Sequence, residues 1–457
     1  MRRQRIATAV ALSGLLATLA ACGGGSGSST ASTDGKGTLT FFTWDAEATM
    51  QPLVNEFQKE NPGIKIKMSY APPVDDYINT LQKRLLAHQA ADVFILGNKT
   101  EQVGGGYVKD LTNLKAVSEV SPFNKAAETY KGKVYGVSTV SWGGGYLVNL
   151  DLLAKVGVTE PPATWAEFLA MCAKLKAKGI SPLLEPSDGI STTVMAKIGQ
   201  ADQQAGGDLD TQIYDGKTTF AKAWTPSLDS WAQLYQKGLV SKDVAGLKGD
   251  QVQSEFISGR VAMIATGSWG VAPVRQGAKK MKIDFWPVPG EQAGQDYWAG
   301  AAAPAYAINS RAKNPVAAEK WINFLAGAKG SKIYHDTTGS ITTTSTYKPT
   351  LDPALAKMYP AVVAGKIWCT WQAWPGANTS PLDAAMLAEV QQTVLGEAKP
   401  ADVTKALDSR WATLQVDRPA LGRPQPDLPQ DDRRVAARYD GRAATRSPVN
   451  TQERRMT

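Results

Sequence analysis

Thirteen tryptophans stand in this 457-residue chain beside only two histidines and three cysteines, and their neighbours sort most of them into two groups. Trp165, Trp231, Trp321 and Trp411 lie in helical patterns and are expected in a core. Trp44, Trp142, Trp269, Trp298, Trp368, Trp371 and Trp374 stand instead at strand ends or in loops rich in Gly, Pro, Ser and Thr. Context places neither Trp224 nor Trp286. Large rings in loops are costly to expose without use, and loops at sheet edges collect binding groups. An indole face matches the apolar C–H face of a sugar ring, whose hydroxyl rim asks for carboxylates and amides. Asp45, Glu47, Asn98, Lys99, Asp296 and Asn378 have the right chemistry for that rim, although each taken singly also fits a solvated surface.

Other chemistries find less support. Neither His88 nor His335 has the spacing of a metal ligand, so no metal and no cofactor is expected. Gly104-Gly105-Gly106 and Gly143-Gly144-Gly145 lack the Lys-Ser/Thr of a phosphate loop and are expected as turns that permit close backbone approach. Acidic residues are numerous enough to supply a glycosidase pair, yet a sequence gives no distance between them. No catalytic residue is assigned.

Cys22 invites a different chemistry. Arg2, Arg3 and Arg5 precede an apolar run from Ile6 to Ala21 that ends Leu19-Ala20-Ala21-Cys22. The run is shorter than the roughly 20 residues of a spanning helix and resembles a bacterial lipoprotein leader, residues 1–21. Cys22 then takes a thioether-linked diacylglycerol and holds the chain at the outer face of the cytoplasmic membrane, where two acyl chains anchor stably. Residues 22–37 continue as a Gly/Ser-rich tether with a reach of roughly 20 Å. At the other end, residues 418–457 carry nine Arg, five acidic residues and five Pro without apolar periodicity and are expected to be disordered. Leader and tail together account for all but one of the eight net positive charges. The intervening chain is near neutral, which argues against nucleic-acid binding. Cys172 falls on the apolar face of a predicted helix and suits a buried free thiol, while a bond to Cys369 stays open because export would permit one.

The elements that must position these groups alternate. Thr38 to Trp44 reads as a strand, Met50, Leu53, Val54 and Phe57 as a helix, and Ile64, Ile66 and Met68 as a second strand. Tyr77, Ile78, Leu81 and Leu85 form a second helix, and Val93 to Leu96 a third strand. This β-α-β-α-β order predicts a parallel sheet with ligands beyond the carboxyl ends of its strands. Farther on, Thr164 and Glu167 form a capping box for a helix that Gly179 closes. Val261 to Ala265 reads as a strand, and Ala317 to Ala326 and Pro400 to Leu414 as helices.

Four stretches in order carry a family resemblance: Phe57 to Ile64, Tyr130 to Gly136 followed by Asn149-Leu150-Asp151, Pro161 to Phe168, and Phe256 to Met263 leading to Gly267-Ser268-Trp269. In them the chain resembles the extracellular solute-binding proteins of ABC importers, in the sugar-binding group that includes maltose-binding protein. The resemblance implies an α/β, two-lobed periplasmic-binding-protein-like fold with a hinge and an interlobe cleft. Lobe one would hold 38–138 and 302–345, and lobe two 145–297 and 346–414. It implies ligand contacts from Trp44, Asp45, Glu47, Asn98, Lys99, Trp142, Trp269 and the stretch Trp371 to Asn378, with Trp298 and Trp374 added from the loop aromatics. A departure is Val148, where the family often carries an aromatic ring.

The resulting expectation is a lipid-anchored, monomeric receptor. It closes on a mono- or oligosaccharide and delivers it to ABC permease subunits served by a separate ATPase. An extracellular glycoside hydrolase is the alternative from another class, and a receptor reporting to a membrane sensor is a third.

Overall fold

The computed structural model describes residues 35–72, 74–372, 374 and 379–414. The leader, Cys22, Asn378 and the Arg/Pro-rich tail lie outside the described residues. Gly37–Thr43 pairs in parallel with Ile64–Tyr70 on one side and Val93–Ile95 on the other. Helices Glu47–Glu60 and Val74–Leu86 connect them, giving the expected β-α-β-α-β order. The sheet does not stay parallel. Ala305–Ile308 returns from far along the chain to run antiparallel beside Val93–Ile95, and Val137–Ser138 closes that edge to make five strands.

Its core is aromatic. Phe42 stacks on Tyr77 at 4.4 Å, and Trp321 of helix Pro315–Ala326 meets Phe41 and Phe57 edge-on at 5.6 and 5.1 Å. The Tyr77 hydroxyl, buried among these rings, donates to the Ile95 carbonyl and accepts from the Ile95 N–H, both at 2.8 Å. That pair satisfies polar groups that burial would otherwise penalise, and it fixes the carboxyl ends of the strands from which Trp44 and Asn98 emerge.

A second, seven-stranded sheet is organised on one long strand, Val140–Asn149. Antiparallel to it run Val261–Gly267, Ile283–Trp286, Trp298–Ala302 and Ile341–Thr342, while Ser181–Leu184 and Ile367–Trp368 attach in parallel to two of these. Gly143, Gly144 and Gly145, expected in a turn, are interior to the long strand. A Cβ at Gly143 would run into Met358 Sδ, and one at Gly145 into the Trp286 carbonyl oxygen. Close approach holds; the turn does not.

Helix Trp165–Ala177 covers this sheet. Thr164 Oγ1 accepts from the Glu167 N–H at 3.2 Å, and the Glu167 carboxylate reaches back to the N–H of Ala163 at 2.8 Å, one residue earlier than a standard capping box. Cys172 is on the buried face of this helix, and Cys172 and Cys369 are both free thiols. Trp224 and Trp286, unplaced by sequence, are core residues. No helix among the described residues is long and apolar enough to cross a membrane.

The chain crosses between the two sheets near 138–140, 302–305 and 342–344. Asn124, fully buried, sits among these crossings. Its amide donates to the carbonyls of Ser138 (3.1 Å) and Val140 (2.9 Å), and its Oδ1 accepts from the hydroxyls of Ser121 (2.7 Å) and Ser141 (2.9 Å). Nearby, Thr343 donates to the Thr139 carbonyl at 3.0 Å and returns its own carbonyl to the Ser121 N–H at 3.1 Å. Removing the Asn124 amide leaves several buried partners unsatisfied, each worth about 1–3 kcal/mol. Asn124→Ala is therefore expected to lower stability by more than about 2 kcal/mol in urea unfolding. A loss under about 0.5 kcal/mol, the range of surface substitutions, would show that the crossings do not depend on it.

Candidate ligand-binding cleft

The strand ends of the two sheets face each other across a cleft of about 430 Å³. From the first sheet it receives Trp44, the loop Gly97-Asn98-Lys99, and Glu128. From the second it receives Trp142, the segment Thr370-Trp371-Gln372, Trp374 and Asp383. A hydrogen bond spans the gap, the Asn98 amide donating to Ser380 Oγ at 3.1 Å. Asn98 also caps helix Lys99–Gly104, its side chain accepting from the Glu101 N–H. Lys99 Nζ donates to the Ala127 carbonyl, which brings its charge beside Glu128.

Three indoles are half-buried at the cleft wall. Trp44 lies edge-on to Tyr77 at 5.2 Å, and Trp142 presents an edge-to-face contact at 5.2 Å to Trp269. Trp371 adopts φ of 66°, a left-handed conformation unfavourable for a bulky residue. Its indole N–H donates to Asp383 Oδ1 at 2.7 Å, and its ring packs against Trp224 and Trp374. Local strain is held there by surrounding contacts, as happens at binding sites.

The other sequence-selected residues are distributed unevenly. Trp374 lines the cleft but is only 3% exposed, stacked on Phe220 at 5.6 Å. Trp298, 6% exposed, packs with Phe285 beneath the second sheet, and Trp368 is likewise core. Trp269 is 54% exposed and reaches the cleft through Trp142. Asp45 follows Trp44 but turns toward Tyr334 and Thr43, while Glu47 and Asp296 are exposed and outside the described lining. His88 is an exposed residue at φ of 57° following its helix, and His335 is buried, bonded to the carbonyls of Ser340 and Thr350.

Glu128 and Asp383 line the cleft without having been singled out by sequence, while Gln372 lies inside the stretch Trp371 to Asn378 already expected there. Glu128 follows a short helix in a stretch of ordinary composition, and nothing local marks it. Burial pushes its carboxyl up, opposed by the Lys99 charge. Burial also pushes the Cys369 thiol up to about 12, so this cleft cysteine stays protonated and unreactive at neutral pH. Among the described residues no cluster of three His, Cys, Asp or Glu is placed to hold a metal.

Comparison with known proteins agrees with this geometry. A family model described as bacterial extracellular solute-binding protein matches residues 52–364. The multiple sugar-binding protein of Streptococcus mutans serotype c is 26% identical over 337 residues, 70% of this chain and 78% of its own length. The maltodextrin-binding protein MdxE of Bacillus subtilis is 23% identical over 408 residues, 83% of this chain and 92% of its own. A solved family 1 extracellular solute-binding protein from Bifidobacterium longum subsp. infantis superposes with a TM-score of 0.69 at 28% identity, covering 83% of this chain and 100% of that one.

Burial raises the Asp45 carboxyl to about 6, against weaker opposing hydrogen bonds from Tyr334 and Thr43. Between its ordinary value of 3.8 and about 6 the folded chain therefore holds a proton that the unfolded chain has released. Stability falls as pH rises through that window. Asp45→Asn removes this penalty. The variant is expected to melt above wild type at pH 8, with the difference vanishing near pH 4; an equal gap at both pH values would contradict the assignment.

Proposed function

The chain belongs to the bacterial extracellular solute-binding protein family, and from that premise we propose that it captures a mono- or oligosaccharide between its two sheets and hands it to an ABC permease energised by a separate ATPase. One observation carries the reading: half-buried indoles from both sheets, Trp44, Trp142 and Trp371, flank a single cleft edged by amides and carboxylates. Flat apolar faces with a polar surround suit pyranose rings. The matched relatives are named for sugar and maltodextrin binding, and they are binding proteins, not hydrolases. The hydrolase alternative drops out.

Within this reading the lobes are 38–138 with 302–345 and 145–297 with 346–414, except that Ala302 and Ile341–Thr342 pair in the second sheet, and they hinge at the crossings, the first of which Asn124 ties. The Asn98–Ser380 bond spans the mouth and would re-form or shift as the lobes open and close. Asp45, Glu47, Trp269, Trp298 and Asn378 complete the proposed ligand set together with the cleft residues already named. Trp298, packed under the sheet, would act through the strand that carries it. The protein acts as a monomer, tethered outside the cell by diacylglycerol on Cys22, a role supported by the cationic, apolar and small-residue order ahead of that cysteine.

Calorimetric titration against a panel of mono- and oligosaccharides tests the reading, and saturable binding of at least one is expected. Trp142→Ala and Trp371→Ala should each weaken that sugar by about tenfold, the scale of one lost ring contact. Absence of binding to any carbohydrate would defeat the proposal. In cells, Cys22→Ser should move the protein from the membrane fraction to the medium and abolish palmitate labelling; unchanged membrane association would remove the lipid anchor.

A further inference from the structure

Among the described cleft-lining carboxylates, Glu128 is the one whose side chain no protein hydrogen bond reaches. It is 5% exposed, and the surface it keeps belongs to the cleft wall. Around it are apolar or neutral atoms: a Cβ on Gly136 would stand 3.1 Å from Glu128 Oε2, 2.8 Å from Leu96 Cδ1 and 3.3 Å from Ala305 Cβ. The other cleft carboxylate, Asp383, receives the Trp371 indole N–H. Glu128 has no such donor: among the described residues no hydrogen bond reaches its side chain. Elsewhere in the molecule a comparably buried acid is fully engaged, since Glu185 accepts from Ser191, Trp231 and Tyr235.

A buried carboxylate without donors is costly unless something supplies them. The nearest charge is Lys99, which offsets the negative charge without hydrogen-bonding it. A cationic ligand group placed here would meet that ammonium. Neutral O–H donors would not, and a carboxylate offers two oxygens to two of them.

We propose that Glu128 is a ligand-specificity residue: its carboxylate accepts hydrogen bonds from adjacent hydroxyls of a neutral sugar, with Lys99 balancing the charge. The assignment rests on the cleft being a saccharide site, and it singles out uncharged polyols over amino sugars. In the unliganded protein the carboxylate faces the Lys99 charge but is held without hydrogen-bond donors, at the expense of stability, which separates a binding role from a structural one.

The experiment pairs affinity with apo stability, using the sugar that binds wild type best. Glu128→Gln keeps the shape and removes the charge. It should weaken binding by roughly ten- to a hundredfold, the scale of a charge-assisted hydrogen bond, while the unliganded variant melts at or above wild type at pH 8. Among monodeoxy analogues of that sugar, one position should lose roughly a hundredfold or more with wild type, and that penalty should shrink in the variant. Unchanged affinity, a deoxy penalty equal in both proteins, or tighter binding of the amino-sugar counterpart would overturn the assignment. If wild type binds no sugar, the saccharide reading fails by itself. The melting comparison still decides Glu128: an unliganded E128Q chain melting below wild type overturns the proposal.

Discussion

The cleft lies where the polypeptide crosses between two separately packed sheets, and the buried amide of Asn124 holds the first of those crossings, at Ser138 to Val140, to which Ala303 and Thr343 of the other two are joined by backbone hydrogen bonds. Asn124 uses both ends of its side chain there, donating to the carbonyls of Ser138 and Val140 and accepting from Ser121 and Ser141. Every indole and carboxylate at the cleft is placed relative to those crossings. Trp142 lies two residues beyond Val140 on the long strand, and Glu128 follows the short helix Pro122–Ala127 that carries Asn124. A shift at the crossings would move both walls at once, so the polar hub governs site geometry more directly than either aromatic core.

Much of this architecture is written in local sequence. Alternation in Ile64-Lys65-Ile66-Lys67, helical spacing from Met50 to Phe57 and the Thr164 cap report short-range physics, and the corresponding elements form where that physics puts them. The long strand is different. Gly143 to Gly145 lack the side chains that signal a strand, and their interior position is set by Met358 and Trp286, which arrive from distant parts of the chain. Trp298 misleads for a related reason: its small neighbours Ala299 to Ala302 resemble a loop, yet they are the tightly packed strand Trp298–Ala302.

The same distinction divides the site. Asn98 and Trp44 are legible because they follow strands in a β-α-β-α-β order whose carboxyl ends face the cleft. Asp45 is legible by position only, since Tyr334, from a helix 289 residues farther along the chain, draws its carboxylate aside. Glu128 leaves no local trace, because its burial depends on Leu96, Gly136 and Ala305 meeting in three dimensions. The burial of cleft groups such as Glu128 thus comes from long-range packing, while the surrounding frame comes from local pattern.

A co-crystal structure with the tightest-binding saccharide tests the central claim most directly. The account predicts sugar density between the two sheets, with at least one ring face on the indole of Trp142 or Trp371 and both lobes contributing contacts. Sugar bound elsewhere on the surface, such as the basic groove lined by Lys67, Arg84 and Arg311, with the cleft left empty, would contradict it.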